Sequence, residues 1–134
     1  MEQPLALIVE DERDVSLVFS RALQAAGFRT KVVYAGDDAL EWLSSAEPDM
    51  VVLDLNLPHV VGADVLKYIR SEARLADTPV IVTTAYARLA EGLHDDVDRV
   101  LFKPVSFRQL RDLAARLIHK DAVTHDDSAT VSDS

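Results

Sequence analysis

Short, wholly apolar segments alternate along this chain with segments whose apolar residues recur at helical spacing. That alternation restricts the fold more than any other feature. Leu5-Ala-Leu-Ile-Val9 and Met50-Val-Val-Leu53 are tight apolar runs, Val80-Ile-Val82 follows a proline, and Val100-Leu-Phe102 precedes a lysine. Runs that are apolar at every position suit strands buried on both faces. Thr30 to Tyr34 is a further β-prone stretch. Between them, Val15, Val18, Phe19, Ala22 and Ala26 follow the i, i+3, i+4, i+7 pattern, with Gly27 as a stop. Ala39, Leu40 and Leu43 predict a shorter helix, with Asp38 and Glu41 spaced as a capping pair. Ala63, Leu66, Ile69 and Ala73 predict another, and Ala87 to His94 a weaker one interrupted by Gly92. Phe107, Leu110, Ala114, Leu117 and Ile118 form the clearest stripe, opened by the capping-box sequence Ser106-Phe-Arg-Gln109.

Strand and helix thus alternate five times. The expected fold class is α/β, a doubly wound (βα)5 architecture with a five-stranded parallel sheet covered on both faces. A chain of 134 residues matches one such domain. The expected division is a folded domain over residues 1–120 and a tail over 121–134. The tail holds four aspartates and no Lys or Arg, and reads as disordered. No cysteine is present, which excludes disulfides, thiolate-bound metal and cysteine nucleophiles. The formal charge of −9, from 23 acidic and 14 basic side chains, disfavours nucleic acid and anionic membrane as direct partners. The apolar run Leu5 to Val9 is too short for a signal peptide or a membrane span, so a cytoplasmic location is expected.

In open parallel sheets the reactive crevice lies at the carboxyl ends of the strands. The first strand runs into Glu10-Asp11-Glu12, the third ends in Asp54-Leu-Asn-Leu-Pro58, the fourth at Thr83-Thr84-Ala85 and the fifth at Lys103-Pro104. Each piece has a plain structural reading: a helix cap for Glu12, an Asx-turn for Asp54, a satisfied hydroxyl for Thr84, a solvated charge for Lys103. Chance must then bring all of them to one edge. Packing Glu10, Asp11 and Asp54 together is unfavourable without a counterion, because like charges a few Å apart repel. Mg²⁺ prefers such hard oxygen ligands. A cation, an ammonium and a hydroxyl together neutralise a phosphoryl group, and a carboxylate can accept one as a nucleophile.

These residues resemble the receiver domain of two-component response regulators, with its flavodoxin-like fold. The resemblance spans about residues 4 to 119 and rests on Glu10-Asp11, Asp54 in Asp-Leu-Asn-Leu-Pro, Gly62, Thr84-Ala85 and Lys103-Pro104. It implies that Asp54 is the phosphoacceptor. Asp11 would bind Mg²⁺ directly, Glu10 through water, and Asn56 through its backbone carbonyl. Thr84 would hydrogen-bond the phosphoryl group, Lys103 would pair with its charge, and the small Ala85 would leave an opening for the donor. The Lys103–Pro104 peptide would be cis. The implied donor is a phosphohistidine on a sensor histidine kinase or a histidine phosphotransfer protein. The domain would be no enzyme beyond its own phosphoryl transfer and autodephosphorylation. It would act as a stand-alone receiver, monomer or weak dimer, in signalling or a phosphorelay, on a downstream target protein the sequence does not identify. Metal binding would raise the melting temperature, less so in Asp11→Ala.

The chain departs from the family pattern at three places. Val100 stands where an aromatic switch residue is common, three positions before the lysine, and Phe102 is expected on the opposite face of that strand. The stretch from Thr84 to Lys103 is short and has His94-Asp-Asp-Val97 where a Gly-Ala pair is usual. Val61 replaces a common Asp before Gly62. These changes keep alive an alternative, a receiver-fold interaction module that signals without phosphorylation. A phosphatase of the haloacid dehalogenase type would need a second acid where Asn56 stands. A flavin or nucleotide binder would need a Gly/Ser/Thr phosphate cradle where Glu10-Asp11-Glu12 stands. His59, His94, His119 and His125 show no ligand spacing and are expected at the surface, and Trp42 is expected to pack. Tyr86 is expected at the crevice rim, where it would tune access of water to phosphorylated Asp54.

Overall fold

The computed structural model describes residues 3–125. Its elements are β1 (Leu5–Val9), α1 (Arg13–Ala25), β2 (Arg29–Val33), α2 (Gly36–Leu43), β3 (Met50–Asp54), α3 (Gly62–Ser71), β4 (Val80–Thr84), a 3-10 turn (Ala87–Ala90), β5 (Arg99–Phe102) and α4 (Phe107–His125). The five strands are parallel in the order β2-β1-β3-β4-β5. Chain direction across the sheet reverses between β1 and β3, and a crevice opens at their carboxyl ends.

Side-chain alternation divides the core into two layers. Leu7, Val9, Val51, Leu53, Val80 and Val82 pack with α2 and α3 through Ala39, Leu43, Val65, Leu66 and Ile69. Ala6, Ile8, Met50, Val52, Ile81 and Leu101 pack with α1 and α4 through Phe19, Ala22, Leu23, Leu110, Leu113 and Ala114. Every residue of β3 and of β4 is buried, as the wholly apolar runs require.

Caps and stops follow local chemistry, with one exchange of roles. Glu12 occupies the position before α1 but makes no side-chain cap. The free N–H of Glu12 donates instead to Oε2 of Glu10 at 3.1 Å, so the buried carboxylate caps the helix. Gly27, at φ 103°, ends α1 in the left-handed region. Ser106 caps α4 as its sequence predicts, accepting the Gln109 N–H on Oγ at 3.0 Å.

Other expectations are corrected. Asp38 does not cap α2, which begins two residues earlier at Gly36. Asp37 and Asp38 instead lie in its first turn, where negative charge suits the helix dipole. The helix expected over Ala87–His94 is reduced to the 3-10 turn, with Gly92 at φ 82°. The segment holds few apolar residues and a glycine, so it has no stripe long enough to dock on the sheet. Phe102 lies on the same face as Val100, since residues two apart in a strand share a face. The register agrees: Val100 pairs with Val82 and Phe102 with Thr84, while Leu101 pairs with Thr83 and joins the α1/α4 layer. Phe102 is 53% exposed at the strand end. Helix α4 runs to His125, so residue 121 falls within it rather than at its end, and residues 126–134 of the expected tail lie outside the described residues. Trp42 packs against the α2/α3 layer as expected. Among the described residues no helix is long and apolar enough to cross a membrane.

Candidate functional site

The sheet register brings the singled-out residues to one edge. Val9 pairs with Leu53 and Asp54 with Thr83. By alternation Glu10, Asp54 and Thr83 therefore project from the α1/α4 face of three adjacent strands. Two backbone hydrogen bonds extend the ladder past the strand ends, from Glu10 N–H to the Val33 carbonyl at 3.1 Å and from Lys103 N–H to the Thr84 carbonyl at 2.9 Å. Lys103 is thereby delivered to the same edge as the carboxylates, two positions beyond Leu101 and on its face.

Lys103 Nζ lies 2.8 Å from Glu10 Oε1 and 3.1 Å from Asp54 Oδ2. Glu10 is 0% and Asp54 3% exposed, so this is a nearly dry ion triad. Asp54 Oδ1 accepts the Asn56 N–H at 3.0 Å, a turn that aims the carboxylate into the crevice. Burial pushes the Glu10 carboxyl up to about 7, against the hydrogen bond from Lys103 that favours its charged form. For Lys103, burial alone would lower the ammonium, but the hydrogen bond to Glu10 and the charge of Asp54 outweigh it and hold it above the ordinary lysine value.

Asp11 is exposed beside this triad, and one oxygen from each of Glu10, Asp11 and Asp54 can be chosen so that all lie within 4.8 Å of one another. Three hard, anionic oxygens from adjacent strand ends fit a divalent cation such as Mg²⁺. The Lys103–Pro104 peptide is cis. Thr84 is engaged locally: its hydroxyl accepts the Tyr86 N–H at 3.0 Å and lies 3.2 Å from the Tyr86 carbonyl. In this arrangement it is not hydrogen-bonded to the Asp54 carboxylate. Ala85 and Tyr86 are exposed beside it, and Ala85 lines an apolar groove with Val15, Val18, Phe19, Lys103 and Pro104. His59 and His94 are exposed, as expected, whereas the side chains of His119 and His125 lie outside what is described.

The loop that carries Asp54 is held by two glycines. A Cβ on Gly62 would overlap the Asp54 carbonyl oxygen and lie 2.6 Å from the Leu55 Cα. A Cβ on Gly36 would overlap the Val60 carbonyl oxygen and lie 2.8 Å from the Val60 Cβ. Gly62 belongs to the motif read from the sequence. Gly36 does not, and only the approach of α2 to the loop reveals its role. Thr83 likewise lies outside that motif, and its pairing with Asp54 places it on the carboxylate's face.

Comparison with known proteins agrees with this geometry. The family model for the response regulator receiver domain matches residues 6–115. The response regulator MprA of Mycobacterium ulcerans is 31% identical over 126 residues, covering 92% of this chain and 53% of the relative. The transcriptional regulatory protein GltR of Pseudomonas aeruginosa is 35% identical over 107 residues, covering 78% of this chain and 44% of the relative. The chain thus spans about half the length of these curated relatives. Among solved structures, a CheY-like response regulator receiver domain from Methylobacillus flagellatus superposes with a TM-score of 0.77 at 27% identity, covering 87% of this chain and 99% of that one. The receiver domain of Francisella response regulator 1452 gives 0.77 at 26%, covering 88% and 98%.

Proposed function

This chain belongs to the response regulator receiver domain family of two-component systems, and from that premise we propose that it accepts a phosphoryl group on Asp54. The observation that carries the proposal is the state of that carboxylate: buried, at the end of a central strand, with one oxygen on Lys103 Nζ and the other on the Asn56 N–H. Both contacts hold the nucleophile in one orientation, which removes much of the orientational cost of transfer. The donor is a phosphohistidine on a sensor histidine kinase or histidine phosphotransfer protein. An Asp54 oxygen bonds to phosphorus as the phosphorus–nitrogen bond breaks, and the electron pair leaves with the imidazole. Lys103 then faces the phosphoryl oxygens, and Thr84 leaves its turn with Tyr86 to hydrogen-bond them.

Asp11 would hold Mg²⁺ directly, Glu10 through water, and Asp54 and the Asn56 carbonyl would complete the protein's share. Bound there, the ion would supply positive charge that offsets the charge of the carboxylates and of an incoming phosphoryl group. The chemistry extends to the domain's own transfer and its own hydrolytic dephosphorylation. The output is altered binding of a target protein. Intact mass after incubation with acetyl phosphate and Mg²⁺ tests the reading: one added phosphoryl group on the wild type and none on Asp54→Asn is the expected result.

A second reading, a receiver-fold module that signals without phosphorylation, is favoured by Val100 in place of an aromatic and by the Thr84 hydroxyl engaged with Tyr86. The same experiment separates the two. Absence of uptake by the wild type, from acetyl phosphate and from a panel of histidine kinases, would establish the second.

A further inference from the structure

Among the described residues, Thr83 Oγ1 is the buried side-chain polar atom that has no hydrogen-bond partner. Thr83 is 0% exposed, so bulk solvent does not reach its hydroxyl. Leaving such a group unpaired is destabilising, and a valine of the same shape would avoid it. The position is also specific. Thr83 is the register partner of Asp54, and its carbonyl accepts the Leu55 N–H at 3.1 Å. On its other side it pairs with Leu101, two residues before Lys103. The hydroxyl therefore stands on the carboxylate's own face, in the strand between Asp54 and the strand that delivers Lys103. The neighbouring hydroxyl, Thr84, is already engaged with Tyr86.

Resting on the phosphoacceptor reading above, we propose that Thr83 is a positioning residue for Asp54, its hydroxyl unpaired in the resting site and recruited by the phosphorylated carboxyl group. The reasoning follows the charges. In the resting site Lys103 Nζ serves Asp54 Oδ2 and Glu10 Oε1 together. When an Asp54 oxygen bonds to phosphorus, the bond from phosphorus to the donor breaks and its electron pair leaves with the donor. The carboxylate's charge then passes to the phosphoryl oxygens, and Lys103 follows it. The carboxyl oxygen that Lys103 releases is buried, and beside any cation it would hold it keeps a lone pair for a hydrogen-bond donor. The Thr83 O–H, adjacent in register and without another partner, is the group placed to supply it.

Thr83→Val and Thr83→Ser, in the full chain, separate this role from packing. Without a phosphodonor, Thr83→Val is expected to melt above the wild type, because it removes an unpaired buried hydroxyl. With acetyl phosphate and Mg²⁺, its steady-state phosphorylated fraction, expressed as the ratio of modified to unmodified protein, is expected to fall roughly three- to ten-fold, the worth of one hydrogen bond. Thr83→Ser, which keeps the hydroxyl, is expected to restore wild-type phosphorylation. A lower melting temperature for Thr83→Val would overturn the proposal, since the hydroxyl would then have a resting partner. Equal phosphorylation of wild type and Thr83→Val, or equal losses in Val and Ser variants, would overturn it too. Those outcomes require a wild type that takes up phosphate, whereas a wild type that takes up none removes the phosphoacceptor reading itself and this role with it.

Discussion

The two loops that flank Asp54's end of the sheet are held by opposite means. The β3–α3 loop, Leu55 to Val61, is packed from within: Leu55 and Leu57 are buried, and Gly36 and Gly62 admit no side chain against it. The β4–β5 connection, Ala85 to Asp98, is largely exposed and buries only Ala90. Ala90, Leu93 and Val97 rest its inner side on the core, and one arginine ties its far end to the α3–β4 loop. Arg70 donates to the carbonyls of Asp96 at 2.7 Å, Ala76 at 2.9 Å and Thr78 at 2.7 Å, and its other nitrogen lies 3.6 Å from Asp98. Asp98 in turn accepts the Val80 N–H at 2.8 Å, joining the connection to the start of β4. Steric exclusion fixes the loop that follows the nucleophile, while polar ties at Asp96 and Asp98 hold the far end of the connection. A packed loop can move only if its neighbours move, but a tied one is released by losing a few hydrogen bonds.

The strongest challenge to this contrast is Gly62→Ala. The new methyl would meet backbone atoms of Asp54 and Leu55, which cannot swing away, so a loss of about 3 kcal/mol or more is expected in urea unfolding. Loss of phosphoryl uptake should accompany it. A variant as stable as the wild type would show that the loop is not sterically locked.

Arg70→Ala is expected to cost about 2 kcal/mol, for hydrogen bonds made by a partly exposed charged group. Its signature is local: faster amide exchange through residues 91–98 with phosphoryl uptake at Asp54 retained. If uptake fell in parallel with stability, the two loops would be one mechanical unit and the comparison would fail.

Acidity probes the site itself. The Glu10 carboxyl is raised from 4.5 to about 7 in the fold, chiefly by burial. Between those values the folded chain binds a proton that the unfolded chain does not, so this group's contribution is largest below about pH 4.5 and is lost as pH rises through 7. For metal-free protein the loss should be about 1–3 kcal/mol. Chemical denaturation from pH 4.5 to 7.5 should show that decline in the wild type, and Glu10→Gln should flatten it. An unchanged slope in Glu10→Gln would assign the titration elsewhere.

The smallest effect concerns His59, which sits at φ 66° in the tight loop. A β-carbon is disfavoured there, so His59→Gly should stabilise by about 0.5–1 kcal/mol in the same denaturation experiment. Destabilisation would show that the exposed imidazole makes a contact that offsets the strain.

Most of the framework was legible from the sequence because it rests on local rules. Apolar runs predict β1, β3 and β4, stripes predict α1, α3 and α4, and Ser106 and Gly27 mark an entry and an exit, all decided within a few residues of chain. The same rules place Glu10, Asp11, Asp54 and Lys103 at strand ends. They failed where a segment's fate was set elsewhere: Ala87–His94, interrupted by Gly92, docks only Ala90 and Leu93 on a layer built by distant strands and helices, and Asp38 is displaced because Gly36 starts α2 against Val60. What the tertiary structure alone decided is how the site's groups are shared. Lys103 and Glu10 stand 93 residues apart, and their 2.8 Å contact exists only through the strand order β1-β3-β4-β5. The cap that Glu10 gives α1, the unpaired Thr83 hydroxyl and the elevated Glu10 carboxyl follow from that same register and its burial. Periodicity carries information about faces and ends over a few residues, whereas pairing and desolvation depend on which distant strands come to lie side by side.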